Sequence, residues 1–166
     1  MLRTIAAIAA DHIDLVSAHS FEDTARTLSA QLERSGMQEL IDRLAGAADR
    51  EDCAAQRSAL NGPGRLIHLG DFDWGRLLTL SGLPMKARCF LVGNAMTAQK
   101  LLAAGGPALG LYLPTKMLVY EAGDGTVHVA YDQLPLMAPS ENDALSIVAS
   151  AIDTALDDLA RAAAGF

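Results

Sequence analysis

The sequence has few of the residue patterns that mark familiar catalytic, metal or cofactor sites. Its two cysteines, Cys53 and Cys89, lie far apart and form no CxxC pair, so a zinc site or a thiol redox site has no support. The four histidines do not show HExxH spacing, and the chain contains no GxSxG element, P-loop or dinucleotide-binding fingerprint. We therefore expect no cofactor and no metal.

Basic residues are also scarce. The chain has 13 Lys and Arg against 20 Asp and Glu, a net charge of −7, which argues against binding to nucleic acid because that affinity comes largely from clustered basic side chains. The apolar stretch Thr4–Ala10 is at the lower limit of a signal-peptide core, and no segment approaches the roughly 18 apolar residues of a membrane span. These features predict a cytoplasmic protein without a membrane partner.

Apolar residues, by contrast, are plentiful. With 166 residues and 51% hydrophobic content, the chain is predicted to form one domain over residues 1–166. Ser20 is a predicted N-cap for a helix that ends at Gly36, and residues 37–62 have the composition of a helical insertion. Residues 140–166 predict a C-terminal helix capped by Ser140.

Strand patterns occur before the first helix and repeatedly in the middle of the chain. They are IDLVSAH (13–19), RLIHLGDF (65–72), ARCFLV (87–92), ALGLYL (108–113), KMLVYE (116–121) and the segment after Gly-Asp-Gly at 123–125. Asp73 is a predicted cap for a short helix that ends at Gly82. Because strands follow one another in the middle, the predicted class is α+β with a mainly antiparallel sheet covered by helices.

The Gly-Asp-Gly segment predicts a hairpin, and its loop length decides which side chains share a face. A two-residue loop would place Lys116 on the face of Val127 and Val129, whereas a three-residue loop would place it with His128. Pro114 cannot donate a ladder hydrogen bond, so it is predicted to end the strand ALGLYL and redirect the chain.

Several of these segments resemble the DUF302 family, a group of small domains of unknown function. The similar segments are HSFEDTARTL, LIHLGDFDW, CFLVGN and above all ALGLYLPTKMLVYEAGDGTVHVAYD, which contains the Leu-Pro-x-Lys and Val-x-Glu elements. The resemblance implies a β-α-β(4)-α arrangement, similar to the TATA-binding-protein-like fold, and a homodimer. The chain departs from the family at Ala95 and Trp74, where proline and histidine are common, and in the segment from Met37 to Leu60.

The candidate ligand-site residues are polar or aromatic side chains near the strand ends and turns. They are Lys116, Asn94, Asp73, Tyr131, Glu121 and His68. Lys116 could recognise an anionic group, although a lysine at a sheet edge also serves to prevent aggregation. His68 is expected to approach Asn94 or Asp73, and Trp74 is expected to anchor the core.

Three functions are compatible with these residues. The first is a dimeric module that binds a small molecule or peptide, with an anionic-ligand site near Lys116. The second is an enzyme of unfamiliar type that uses Asp73, Lys116 and Glu121. The third is haem or metal carriage through His68 or His128. Titratable groups that converge in one cleft would favour an enzyme.

Overall fold

A computed structural model describes residues 10–34, 42, 45–49, 51, 52, 55, 66–134 and 143–166 of the chain. The strands are β1 (His12–Val16), β2 (Glu33–Arg34), β3 (Ile67–Asp73), β4 (Ala87–Gly93), β5 (Thr115–Glu121) and β6 (Val127–Asp132). The α-helices are α1 (Phe21–Gln31), α2 (Trp74–Leu78), α3 (Ala95–Gly105) and α4 (Asp143–Ala164). Two 3₁₀ helices span Thr79–Ser81 and Pro107–Tyr112.

The described strands form one sheet in the order β1-β6-β5-β4-β3-β2. All neighbours are antiparallel except β2, which adds two residues parallel to β3 at one edge. Core residues of α1, α3 and α4 pack together with one face of this sheet. The predicted α+β class and the β-α-β(4)-α order are therefore confirmed.

Strand alternation determines which sheet residues enter the core. On β5 and β6 the odd-numbered positions Met117, Val119 and Val129 are fully buried. They pack in the same cluster as Leu28 of α1 and Leu156 of α4. We call this the inner face of the sheet, and the opposite side, which carries the even-numbered residues of β5 and β6, the outer face.

Helix α4 buries the stripe that its sequence predicts. Leu145, Ile152, Leu156 and Leu159 are buried, and Val148 packs against the same cluster. None of the helices in the described part of the chain is long and apolar enough to cross a membrane.

Helix α1 begins as predicted but ends early. The Ser20 side chain accepts a hydrogen bond from the backbone N–H of Asp23 at 3.2 Å, which satisfies one of the free donors at the helix start. The expected end at Gly36 is wrong, because the helix stops at Gln31 and Glu33–Arg34 pair with β3 instead.

Helix α2 begins at the predicted cap and ends at Leu78, and only the 3₁₀ helix that follows it reaches the predicted end at Gly82. Asp73 accepts from the Arg76 N–H at 2.8 Å, and Gly82 ends the following 3₁₀ turn in the left-handed region at φ +73°. Trp74 is 42% exposed and stacks on Phe72, so it is not a core anchor. A helix of five residues without a buried side chain offers the indole no core to enter.

The predicted strand ALGLYL is also wrong, because Pro107–Tyr112 form a 3₁₀ helix. Hydrogen bonds from Leu109 N to Gly106 O and from Leu113 N to Gly110 O, both 3.3 Å, close successive three-residue turns. Alternating leucines fit this helix as well as a strand, since Leu109 is buried and Leu111 is 84% exposed. Pro114 follows in a cis peptide bond and leads directly into β5.

The β5–β6 hairpin is confirmed, but its loop has five residues rather than the two or three that the sequence suggested. Met117 pairs with Tyr131 and Val119 with Val129, so an odd-length loop connects the strands. Gly125 takes φ +85°, which glycine adopts without steric cost. Lys116 therefore shares its face with His128, and the assignment based on a two-residue loop is wrong.

Other expectations fall outside the described residues. These are the N-terminal apolar stretch, most of the 37–62 insertion including Cys53, and the Ser140 cap.

Met117 and Leu118 are neighbours on opposite faces of β5 and give a direct test of the register. Met117→Ala should lower the free energy of unfolding by about 2–5 kcal/mol, because it opens a cavity in the core. Leu118→Ala should cost less, since Leu118 is only partly buried on the outer face. Urea denaturation of both variants measures the difference, and a larger loss for Leu118→Ala would contradict this register.

Candidate functional site

A cavity of about 310 Å³ lies where β4 ends and β5 begins. Asn94, the last residue before α3, is buried, and its Oδ1 accepts hydrogen bonds from Met96 N at 3.0 Å and Thr97 N at 3.1 Å. Thr115, the first residue of β5, donates from Oγ1 to Val92 O at 2.9 Å. Both side chains thus hold the backbone that shapes the cavity, which we call the Asn94 cavity.

The walls of the Asn94 cavity are mainly apolar. Its described lining comes from β3, β4, β5, α3, the second 3₁₀ helix, α4 and residues next to these elements: Leu66, Leu69, Val92, Gly93, Asn94, Ala95, Thr97, Ala98, Leu102, Gly110, Leu113, Pro114, Thr115 and Ile152. Because the Asn94 and Thr115 oxygens are already engaged with the backbone, a polar ligand group would find few partners here. The cavity is suited to the apolar part of a small molecule.

Lys116 lies in a neighbouring cavity of about 360 Å³, which we call the Lys116 cavity. Pro114 and Thr115 line both cavities, and Asp132 lines the second one together with Lys116. Within the described residues, the Lys116 ammonium forms no ion pair, and Asp132, which lines the same cavity, lies 2.7 Å from His12. An anion that entered this cavity would therefore meet one ammonium, whose attraction the Asp132 carboxylate partly opposes.

The field of Lys116 extends along the outer face to Cys89. Burial raises the pKa of the Cys89 thiol above its ordinary value, and the positive charge of Lys116 only partly opposes this shift. The thiol is consequently kept protonated and poorly nucleophilic at neutral pH.

Asp73 and Glu121 line a third cleft, of about 820 Å³, at the far end of β5. Lys86 also lines it, and its Nζ lies 2.9 Å from Glu121 Oε2, which raises the pKa of the lysine. Lys116 is five residues from Glu121, about 17 Å along the strand. The structure thus brings together two of the three residues of the enzyme hypothesis and places Lys86, rather than Lys116, beside them.

Tyr131 lies on the inner face and is 3% exposed. Its hydroxyl donates to Asp157 Oδ1 at 3.2 Å, which ties β6 to α4. Burial, together with the nearby negative charge of Asp157, raises the pKa of Tyr131 to about 12. This geometry is that of a buried structural tyrosine.

His68 approaches Asp71 rather than Asn94 or Asp73. Its Nε2 is buried 3.1 Å from Asp71 Oδ1 but outside hydrogen-bond geometry, and its ring packs 5.7 Å from Phe90. Arg88 Nε donates to the other oxygen of Asp71 at 2.7 Å. Burial alone would raise the pKa of Asp71, but the bond and charge of Arg88 hold it below the ordinary value.

A polar cluster on the outer face was not predicted from the sequence. His128 Nδ1 lies 2.9 Å from Asp14 Oδ1, and Tyr120 donates to Asp14 Oδ2 at 2.7 Å. His128 Nε2 lies 2.8 Å from Thr126 Oγ1. Asp14 and His128 are 114 residues apart, and only the pairing of β1 with β6 brings them together.

The part of the chain that the structure describes has no group of three or more His, Cys, Asp or Glu side chains arranged to hold a metal ion.

Alkaline titration tests whether Tyr131 is buried beside Asp157. The ultraviolet difference between the parent and Tyr131→Phe should show one phenol that ionises near pH 12, because the raised pKa favours the neutral form in the fold. The corresponding stability is present below pH about 10, the ordinary tyrosine value, and is lost as the pH rises through about 12. Ionisation of this phenol near pH 10 would show that it is not buried beside Asp157.

Comparisons with known proteins agree with this architecture. The crystal structure of an uncharacterized conserved protein DUF302 from Bacillus stearothermophilus is 21% identical over 92% of this chain and 97% of that one, with a TM-score of 0.54. Identity at this level supports a similar fold alone. No curated protein matches the chain. The family model described as "Domain of unknown function DUF302" matches residues 53–163, and this chain therefore belongs to the DUF302 family.

Proposed function

We propose that the protein is a small-molecule-binding module whose ligand has an apolar body and an anionic group. The observation that carries this proposal is the pair of adjoining cavities on either side of Pro114 and Thr115, one apolar and one containing Lys116. A ligand that lies across this shared wall would bury its apolar part in the Asn94 cavity and direct its charge toward Lys116.

The volume of the Asn94 cavity limits the size of the apolar part. This volume is about 310 Å³. It lies at the lower end of the range for small-molecule sites. A medium-chain carboxylate, which has about ten non-hydrogen atoms, fits this limit.

The charge of the ligand is inferred from the setting of Lys116. The chain carries a net charge of −7, so a general electrostatic attraction for anions is absent and an anion needs a local cation. Lys116 supplies one on an exposed flexible side chain, where an ammonium acts as a point charge toward a carboxylate or phosphate.

Octanoate and its neutral counterpart octanamide separate the two parts of the proposal. Octanoate should raise the melting temperature of the parent, because a ligand that binds only the folded state stabilises it. Ala98→Leu should abolish this shift by filling the Asn94 cavity. Ala103→Leu, an exposed position on the same helix, should not. Absence of a shift with both compounds would contradict an apolar ligand site.

The role of Lys116 is tested by titration calorimetry. Lys116→Ala should weaken octanoate binding several-fold and leave octanamide binding unchanged, while Lys100→Ala on α3 should change neither. Equal octanoate affinities for the parent and Lys116→Ala would show that the charged group does not interact with this lysine.

We further propose that the protein is a homodimer that pairs through the outer face. Apolar residues there remain exposed in one chain, with Val16 at 53%, Phe72 at 47% and the adjacent Trp74 at 42%. A second copy would remove this surface from water.

Light scattering after size exclusion should return twice the chain mass at high micromolar concentration. Phe72→Lys should shift the protein toward the monomer by placing a charge in the proposed interface. Leu111→Lys, at an 84% exposed position on the second 3₁₀ helix, is the control and should leave the mass unchanged. A strictly monomeric parent would contradict the proposal.

A further inference from the structure

Charges of both signs lie at the Lys116 cavity, because Lys116 and Asp132 both line it. Met117 of β5 pairs with Tyr131 of β6, so one step further along the same register Lys116 faces Asp132 across the two strands. Side chains at directly opposite positions start from Cβ atoms about 5 Å apart. The cavity thus presents an ammonium and a carboxylate from adjacent strands.

These two charged groups do not pair with each other. Asp132 Oδ1 lies 2.7 Å from Nδ1 of His12, which is on β1, on the other side of β6 from Lys116. Among the described residues, the Asp132 side chain makes its hydrogen bond through Oδ1 alone. Lys116 and Asp132 therefore both retain atoms that a ligand could engage.

A ligand with a single negative charge is only partly suited to this pair. Lys116 attracts it, while Asp132 opposes it at short range and the net charge of −7 opposes it at long range. A ligand that carries an ammonium beside its carboxylate is attracted by both side chains. Because such a ligand has no net charge, the charge of the chain does not repel it.

We propose that the ligand of the two cavities is an apolar α-amino acid. This inference rests on the proposed function and deepens it by naming the head group. The carboxylate would face Lys116, the ammonium would face Asp132, and the side chain would enter the Asn94 cavity across the shared wall of Pro114 and Thr115. All three groups are bonded to one carbon atom, as a site at the junction of two cavities requires.

The size of the Asn94 cavity distinguishes an amino acid from other zwitterions. Its volume of about 310 Å³ accommodates one aliphatic or aromatic side chain. The two acyl chains of a zwitterionic phospholipid would exceed it.

The head group can bind at this position without leaving water. The Asp132 side chain is 70% exposed and Lys116 is exposed as well, so the ligand charges remain hydrated and the cost of burying them is avoided. Tyr112 and Gln133 also line the cavity and carry a hydroxyl and an amide that are able to hydrogen-bond to the head group. Because exposed ion pairs contribute modestly, we expect a preference for the ammonium and not an absolute requirement.

Titration calorimetry of the full chain with octanoate and with each enantiomer of 2-aminooctanoate tests this inference. These ligands share the apolar chain and the carboxylate, and they differ in the ammonium. One enantiomer should bind the parent about two- to fivefold more tightly than octanoate, the gain expected from one ion pair exposed to water. The other enantiomer should bind more weakly than the first, because it does not place all three groups at once.

Asp132→Asn tests whether the gain comes from this carboxylate. The variant should bind neither enantiomer more tightly than octanoate, and its affinity for octanoate should not fall, because Asp132 does not attract the ligand carboxylate. Asp158→Asn removes the same charge from an exposed position on α4, outside both cavities, and should keep the preference of the parent.

The outcomes separate the amino-acid ligand from the proposed function on which it rests. Octanoate binding without a gain from either enantiomer, equal affinities for the two enantiomers, or a gain that persists in Asp132→Asn would overturn the amino-acid ligand and leave the proposed function standing. Absence of binding by all three compounds would contradict the proposed function and the amino-acid ligand together.

Discussion

Burial of Val119 and Val129 against helices α1 and α4 is the constraint on which the rest of the molecule depends. Strand alternation is strict, so fixing these two side chains in the core fixes the direction of every other side chain on β5 and β6. Lys116 and His128 are directed outward by this choice and not by any preference of their own. The chemistry of the outer face is in this sense a consequence of core packing.

Local sequence patterns were sufficient to predict a helix cap or a buried stripe wherever the interacting residues are also close in the chain. Ser20 and Asp73 are caps because each satisfies a backbone N–H three residues away. The apolar stripe of α4 follows from helical periodicity alone. A predicted helix end was wrong where residues pair with a distant strand, because Glu33–Arg34 pair with β3 instead of continuing α1.

The polar sites were harder to predict because they depend on loop length and strand order. One residue more or less in the β5–β6 loop exchanges the two faces, and the Gly-Asp-Gly composition is compatible with either outcome. The contact of Asp14 with His128 requires the first strand to lie beside the last one. Asn94 and Lys116 were recognised as polar residues near strand ends, but only the fold shows that Pro114 and Thr115 separate their cavities.

Trp74 gives the molecule a useful optical property. It is the only tryptophan in the chain, and it lies stacked on Phe72 with much of its indole in water instead of in the core. The intrinsic tryptophan emission of a single folded chain therefore comes from a partly hydrated site at the surface of the sheet and not from the core. Fluorescence from this chain consequently reports what approaches the surface at Phe72.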